Sequence, residues 1–116
     1  MEILHISAEC YPVAKVGGLG DVVGALPKYQ HQLGNFAKVV IPAYRTRYYN
    51  THEFDVVHQA GMWLGHNWYH FNVLKERSNE LGFDLYLVDI PGLLDTPGVY
   101  GYPNDTERFL AFQVAV

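Results

Sequence analysis

The sequence predicts an open α/β sandwich of three layers with an inserted antiparallel β-hairpin. Three observations predict it. An apolar run at residues 2–7 leads through paired glycines into an amphipathic segment, a second apolar run follows at Lys38 to Ile41, and residues 54–76 alternate with a period of two. A strand, a crossover of about 30 residues that contains a helix, and a parallel strand form a β-α-β unit of the Rossmann-like kind.

The first strand and helix follow from the order of apolar residues. Residues 2–7 are predicted to form a buried strand. Apolar residues then recur every three or four positions, as on one face of a helix: Leu19, Val22, Leu26, Tyr29 and Leu33. Pro27 is expected to remove one backbone hydrogen bond and to bend this helix. Gly34-Asn35 is a good stop signal.

Alternation predicts the hairpin in the middle of the chain. Its arms, Phe54 to Leu64 and Asn67 to Glu76, flank Gly65-His66. The second arm has two faces, with Tyr69, Phe71 and Val73 on one and Trp68, His70 and Asn72 on the other. Phe83 to Ile90 is predicted as a third core strand. A loop rich in Gly, Pro, Asp and Tyr then precedes a last helix, Thr106 to Val116.

Composition and charge disfavour several classes of protein. A chain of 116 residues, 49% of them hydrophobic, fits one globular domain rather than a disordered segment. A net charge of −4 with scattered basic residues gives no reason to expect nucleic acid as a partner. No apolar run approaches the roughly 18 residues that span a membrane, and no signal peptide is visible. Because the single cysteine cannot form an internal disulfide, we expect a cytoplasmic protein. Because the apolar runs are short, we expect no membrane partner.

The strongest functional signal is the glycine loop, Lys15-Val16-Gly17-Gly18-Leu19-Gly20-Asp21. Glycines at a strand–helix junction let a ligand approach the backbone, and the unpaired N–H groups of the first helical turn attract phosphate. Lys15 adds a full positive charge. The loop lacks the third glycine of a dinucleotide fingerprint and the Gly-Lys-Ser/Thr of a P-loop. The residues alone leave open a phosphate-type anion site, which is favoured, and a tight turn whose glycines serve geometry only.

Other polar residues give weaker signals. Asp21 complements the helix dipole or accepts hydrogen bonds from sugar hydroxyls, and its position alone favours the first role. The six histidines show no metal-ligand spacing, so we predict structural or surface roles for them and no metal site. Cys10 has no discernible base partner and is predicted to be a small buried apolar residue.

The arginines are not predicted to bind a ligand. Arg45 and Arg47 follow the second strand, where a solvated loop is the better interpretation than an anion site. Arg108 stands in the first turn of the last helix, where a cation opposes the helix dipole. We therefore predict that it pairs with a nearby carboxylate, Asp105 or Asp89.

The order of these motifs resembles that of one enzyme family. Met1 to Glu9, Tyr11-Pro12 and Lys15 to Pro27 closely resemble the N-terminus of bacterial glycogen synthases and plant starch synthases, which share a Lys-x-Gly-Gly-Leu motif. The later stretches agree in order: Val40-Ile41-Pro42-Ala43-Tyr44, Leu87-Val88-Asp89, Leu94-Asp95-x-Pro97-Gly98-x-Tyr100 and Arg108-Phe109. The resemblance spans nearly the whole chain.

This resemblance implies a retaining glycosyltransferase of the GT-B type, in which two Rossmann-like domains face each other across a cleft. Residues 1–116 would be the N-terminal part of its catalytic domain. The full-length enzyme would transfer glucose from ADP-glucose or UDP-glucose to the non-reducing end of an α-1,4-glucan, and neither a metal nor another cofactor is expected.

The same resemblance implies roles for six residues. Lys15 would contact the phosphates of the donor. Gly17 and Gly18 would let the backbone close over the diphosphate and glucose, and Asp21 would lie near the sugar or acceptor. The two remaining residues, Glu9 and Tyr11, would line the same cleft.

Departures from the family pattern keep alternatives open. Asn104-Asp105 reverses the usual Asp-Asn order, so no role is assigned to that turn. The apolar last helix ends without a stop signal, so we expect a fragment of a longer protein or an isolated N-terminal domain. No catalytic residue is assigned within it, and we expect it to be inactive alone. The alternative is a non-catalytic carbohydrate- or nucleotide-binding module of the same fold. A dinucleotide oxidoreductase is disfavoured because no acidic residue ends the second strand.

Overall fold

The computed structural model describes residues 1–78 and 80–116. The described residues form five strands: Glu2–Ile6 (β1), Phe36–Pro42 (β2), Phe54–Leu64 (β3), Asn67–Glu76 (β4) and Asp84–Asp89 (β5). They also form three helices: Gly18–Gln32 (α1), Arg47–Thr51 (α2) and Asp105–Ala115 (α3). Except for α2, each element was predicted at nearly these bounds.

All five strands belong to one mixed sheet in the order β1-β2-β5-β4-β3. β1, β2 and β5 run parallel, which confirms the predicted β-α-β unit. The hairpin β3–β4 is antiparallel and joins the same sheet, because Asn72 to Lys75 of β4 pair with β5. The glycine loop and the hairpin therefore lie toward opposite edges of the sheet.

Helices on both faces give the predicted three layers. On one face, β-strand residues such as Ile41 and Leu87 pack in a cluster that includes Val23 of α1. On the other face, Val88 belongs to a cluster that includes Phe112 of α3. None of the described helices is both long and apolar enough to cross a membrane.

Helix α1 buries a different face from its apolar stripe. Its buried residues are Gly20, Val23 and Pro27, and the helix continues through Pro27 to Gln32. The predicted stripe is exposed instead: Leu19, Val22, Leu26, Tyr29 and Leu33. The predicted stop is confirmed, because Gly34 has a φ of 92° and its N–H donates to the carbonyl oxygen of His31.

The prediction of a buried first strand is wrong, because the residues of β1 alternate between exposed and half-buried. β1 is an edge strand that pairs only with β2 among the described strands. Leu4 and Ile6 project from one face and are 53% and 52% exposed. Apolarity predicted the strand correctly, but it did not reveal that this face is uncovered.

The predicted solvated loop after β2 is in part a short helix. Thr46 precedes α2, and its side-chain oxygen accepts a hydrogen bond from the Tyr49 N–H. Arg47 is exposed, as predicted. Arg45 is not: it donates to Asp89 at 3.0 Å and lies 4.3 Å from the Tyr49 ring centroid. The arginine is held by a carboxylate at the end of β5 and an aromatic face, which the sequence did not bring together.

Candidate functional site

Residues 7–17 connect the end of β1 to the start of α1, and the glycine loop lies where this connection enters the helix. Cys10 and Ala14 form an isolated antiparallel bridge, with N–O distances of 2.8 and 2.9 Å. The N–H of Tyr11 donates to the carbonyl oxygen of Gly20 at 2.9 Å. Backbone hydrogen bonds therefore fix the loop against the first turn of α1.

Glu9 holds the glycine loop through hydrogen bonds from the loop backbone. Its side chain is buried, and Oε1 accepts hydrogen bonds from the N–H groups of Val16 at 2.7 Å and Gly17 at 2.9 Å. Oε2 accepts from the hydroxyl of Tyr100 at 2.8 Å. The carboxylate thus positions the loop, and these two N–H groups are already occupied by a protein acceptor.

The hydrogen bonds of Glu9 also determine its protonation. Burial would raise the pKa of this carboxyl, but hydrogen bonds from Gly17, Val16 and Tyr100 more than offset that effect and hold the pKa below its usual 4.5. For Tyr100, burial and the hydrogen bond to Glu9 raise the pKa to about 12. At neutral pH the pair is therefore a carboxylate and a neutral phenol.

Glu9→Gln is expected to destabilise the fold by about 1–3 kcal/mol near neutral pH, since charge-assisted hydrogen bonds are lost. Because the folded-state pKa is lowered, the stabilisation is present above the unfolded pKa and lost as pH falls through the folded pKa. The difference from wild type should therefore shrink below about pH 4.5 in guanidinium unfolding. Exposed Glu2→Gln is the control, and a difference that does not change with pH would contradict this assignment.

Gly17 and Gly18 stand next to open space. A Cβ built on either one has no atom of the described residues within 4 Å, and neither has a positive φ. By contrast, a Cβ at Gly20 would lie 3.0 Å from Lys15 Cγ, and one at Gly24 would lie 2.3 Å from the carbonyl oxygen of Tyr11. Internal packing explains the later glycines but not Gly17 and Gly18, so the interpretation as a purely geometric turn loses support at those two positions.

Lys15 lies at the mouth of the loop. Its Nζ is 3.1 Å from Oδ1 of Asp21, and the two side chains are 41% and 56% exposed. It is also 5.8 Å from the ring centroid of Tyr11, which is itself exposed. Asp21 is in the first turn of α1, as predicted, so it complements the helix dipole and pairs with Lys15 at once.

The six predicted site residues are therefore close in space but differ in exposure. Lys15, Asp21, Tyr11 and Gly18 are exposed, Gly17 is half-buried, and Glu9 is buried. Gly17, which precedes α1, has no side chain that could cap the helix, and its N–H donates to the buried Glu9 carboxylate. An exposed cation beside the N-terminus of a helix can receive an anion.

Sequence reasoning missed the connection between the glycine loop and the loop before α3. Tyr100 reaches Glu9 across 91 positions of the chain. The Tyr100 loop is organised by Arg108, which is fully buried and donates to the carbonyl oxygens of Leu93 and Val99. The predicted pairing of Arg108 with Asp105 is confirmed at 2.8 Å. Only the position of Arg108 signalled this arrangement, because a cation in the first turn of a helix needs partners.

Cys10 and two of the histidines have the structural roles that were predicted for them. Cys10 is fully buried, and burial raises the pKa of its thiol to about 12, which is unsuitable for a nucleophile. His5 bonds to Gln30 at 2.7 Å, and His52 stacks on Tyr48 with ring centroids 3.6 Å apart. These are structural contacts.

The fold and the glycine loop agree with membership of one protein family. The family model of the starch synthase catalytic domain matches residues 2–116, and the chain belongs to that family. Among curated relatives, a glycogen synthase of Flavobacterium johnsoniae is 58% identical over 116 residues, which are 100% of this chain and 24% of that protein. A glycogen synthase of Haemophilus influenzae is 38% identical over 98 residues, 84% of this chain and 19% of the relative.

A solved structure agrees with this family membership. The catalytic domain of starch synthase IV from Arabidopsis thaliana, bound to ADP and acarbose, matches with a TM-score of 0.84 and 26% sequence identity. The match covers 98% of this chain and 24% of that chain. The resemblance and the predicted fold class are thus confirmed, and the chain spans about a quarter of the length of these relatives.

Proposed function

We propose that residues 1–116 are the N-terminal part of the catalytic domain of a retaining glycosyltransferase. The full-length enzyme transfers glucose from ADP-glucose, or UDP-glucose, to the non-reducing end of an α-1,4-glucan. Membership of the family and the similarity to bacterial glycogen synthases support this proposal. That the similar plant structure is bound to ADP favours ADP-glucose as the donor. The unpaired Cys10 is compatible with the cytoplasm as its location.

The observation that carries the proposal is the open space beside Gly17 and Gly18. Neither crowding nor a positive φ within the described chain requires glycine there. A diphosphate and a hexose that lie against the backbone occupy the space that a side chain at either position would fill. Lys15, at the same loop, supplies the positive charge that such a ligand needs.

The proposed chemistry is stabilisation of a leaving group. The bond between glucose and the nucleotide diphosphate breaks as negative charge develops on the phosphate oxygens. Lys15 and the start of α1 are positioned to stabilise that charge. Asp21, which pairs with Lys15, becomes available to sugar hydroxyls once the ammonium group turns to the phosphates.

The remaining proposed site residues position the loop or the sugar. Glu9 holds Val16 and Gly17 in place by accepting hydrogen bonds from their N–H groups, and exposed Tyr11 lines the cleft beside Lys15. Retention of the α configuration requires the acceptor hydroxyl to approach the face from which the diphosphate leaves, so catalysis depends on positioning.

The test is glucose transfer by the full-length enzyme from labelled ADP-glucose to glycogen, compared with UDP-glucose. We expect α-1,4 elongation, and no elongation by residues 1–116 alone because half of the donor site lies outside them. Binding of nucleotide or glucan by the full-length protein without transfer would favour the non-catalytic module. Elongation by the isolated chain would contradict the predicted division of the site.

A further inference from the structure

The β3–β4 hairpin carries an exposed aromatic surface at its tip. Trp63 and Trp68 are cross-strand partners, 66% and 46% exposed, with ring centroids 5.2 Å apart and planes inclined by 66°. The opposite face of the hairpin packs in the core through Met62 and Phe71, which confirms the predicted two-faced arm. Two indole rings that face solvent need a further explanation, because burial stabilises such large apolar side chains.

The position of Trp68 is fixed by its neighbours. Its indole Nε1 donates to Nε2 of His70 at 3.3 Å, and the two rings meet edge to face. Its six-membered ring lies over Gly61, where a Cβ would be only 2.1 Å from Cζ2. The glycine thus makes room for a ring held in one orientation, and an oriented ring loses little conformational freedom when a ligand stacks on it.

The chemistry of this surface is neutral. Residues 57–74 contain no Asp, Glu, Lys or Arg. Besides the rings, the exposed face carries amides and imidazole, with Gln59 opposite Asn72 and Gly61 opposite His70. Amide and imidazole groups next to aromatic faces suit a ligand that has both hydroxyl groups and weakly positive C–H faces.

We propose that Trp63 and Trp68, flanked by His70, form an aromatic platform that binds a neutral α-linked glucan chain away from the donor site. This inference depends on the proposed function, which supplies the glucan. The inclined rings fit successive hexoses of an α-1,4-glucan, since such chains curve and their sugar faces are not coplanar. Residues 57–74, which include the tip of the hairpin, have no lysine or arginine to offer to a phosphate or a nucleic acid.

Distance separates the platform from the glycine loop. β3 and β1 are the two edges of a five-stranded sheet, so four strand spacings, roughly 20 Å, lie between them. A trisaccharide at the active site cannot reach the platform, whereas a polymer such as glycogen can. Binding there would raise the local concentration of chain ends near the donor site.

The experiment compares glycogen with maltotriose in the full-length enzyme. Trp63→Ala and Trp68→Ala are each expected to weaken glycogen binding about fivefold or more in affinity gel electrophoresis without donor. They should leave kcat/KM for maltotriose unchanged. Gly61→Ala, which displaces the Trp68 ring with both tryptophans present, should weaken glycogen binding as well. Tyr29→Ala is the matched control, because Tyr29 is an equally exposed aromatic residue on α1.

The outcomes separate the platform from the proposed function. Wild-type glycogen affinity in both tryptophan variants overturns the platform, and if Trp68→Ala does not fold, exposed Trp63→Ala alone decides. A changed oligomeric state with unchanged glycogen binding shows an interface between copies and also overturns it. Loss of glycogen binding by the variants, in an enzyme that transfers no glucose to maltotriose, leaves the platform standing and removes the transferase proposal.

Discussion

Lys15→Ala in the full-length enzyme is expected to lower kcat/KM for ADP-glucose at least about tenfold, which corresponds to about 1.4 kcal/mol of transition-state binding. The ammonium group is a charged donor beside the open backbone of Gly17 and Gly18. In the proposed site it faces the charge that develops on the leaving diphosphate. Steady-state kinetics with saturating glycogen measure the effect.

The stability of the Lys15 variant separates a binding role from a structural one. Lys15 and Asp21 form an exposed pair, and pairs of this kind contribute little to folding. Unfolding of Lys15→Ala should therefore match wild type while activity falls. Lys28→Ala, which removes an exposed lysine from α1, should retain wild-type kinetics. An unchanged kcat/KM in Lys15→Ala would remove this residue from the donor site.

The sequence predicted the elements well because their signals are local. Alternation placed both hairpin arms at the observed bounds, and glycine signals placed the end of α1. The burial of α1 was not predictable in the same way. The helix packs through the small Gly20 and the rigid Pro27, which permit close approach, whereas its larger apolar stripe is exposed. Periodicity identifies an apolar face but does not identify what packs against it.

The candidate site was predictable only where neighbours in sequence are neighbours in space. Lys15, Gly17, Gly18 and Asp21 lie within seven positions, and one motif found them. The carboxylate that holds their loop in place, Glu9, accepts a hydrogen bond from Tyr100, which lies 91 positions away in the chain. Separations of that size carry no local signal in a single sequence, so the positioning role of Glu9 emerged only from the fold.

Gly18→Ala and Gly24→Ala are expected to have opposite effects, although both add one methyl group to helix α1. At Gly18 the methyl group meets open space, and alanine favours a helix, so thermal stability should be unchanged or rise by up to about 1 kcal/mol. At Gly24 it meets the Tyr11 carbonyl oxygen at 2.3 Å, so the backbone must shift and stability should fall by roughly 1–3 kcal/mol.

Gly18→Ala should be the more stable of the two variants but the less active one, because the space beside Gly18 is where the proposed diphosphate and glucose lie. We expect kcat/KM for ADP-glucose to fall about tenfold or more in Gly18→Ala, with the loss mainly in donor binding. Calorimetric unfolding and donor kinetics on both variants give the comparison. A fully active Gly18→Ala enzyme would show that no ligand occupies this space, and the glycine pair would then need another explanation.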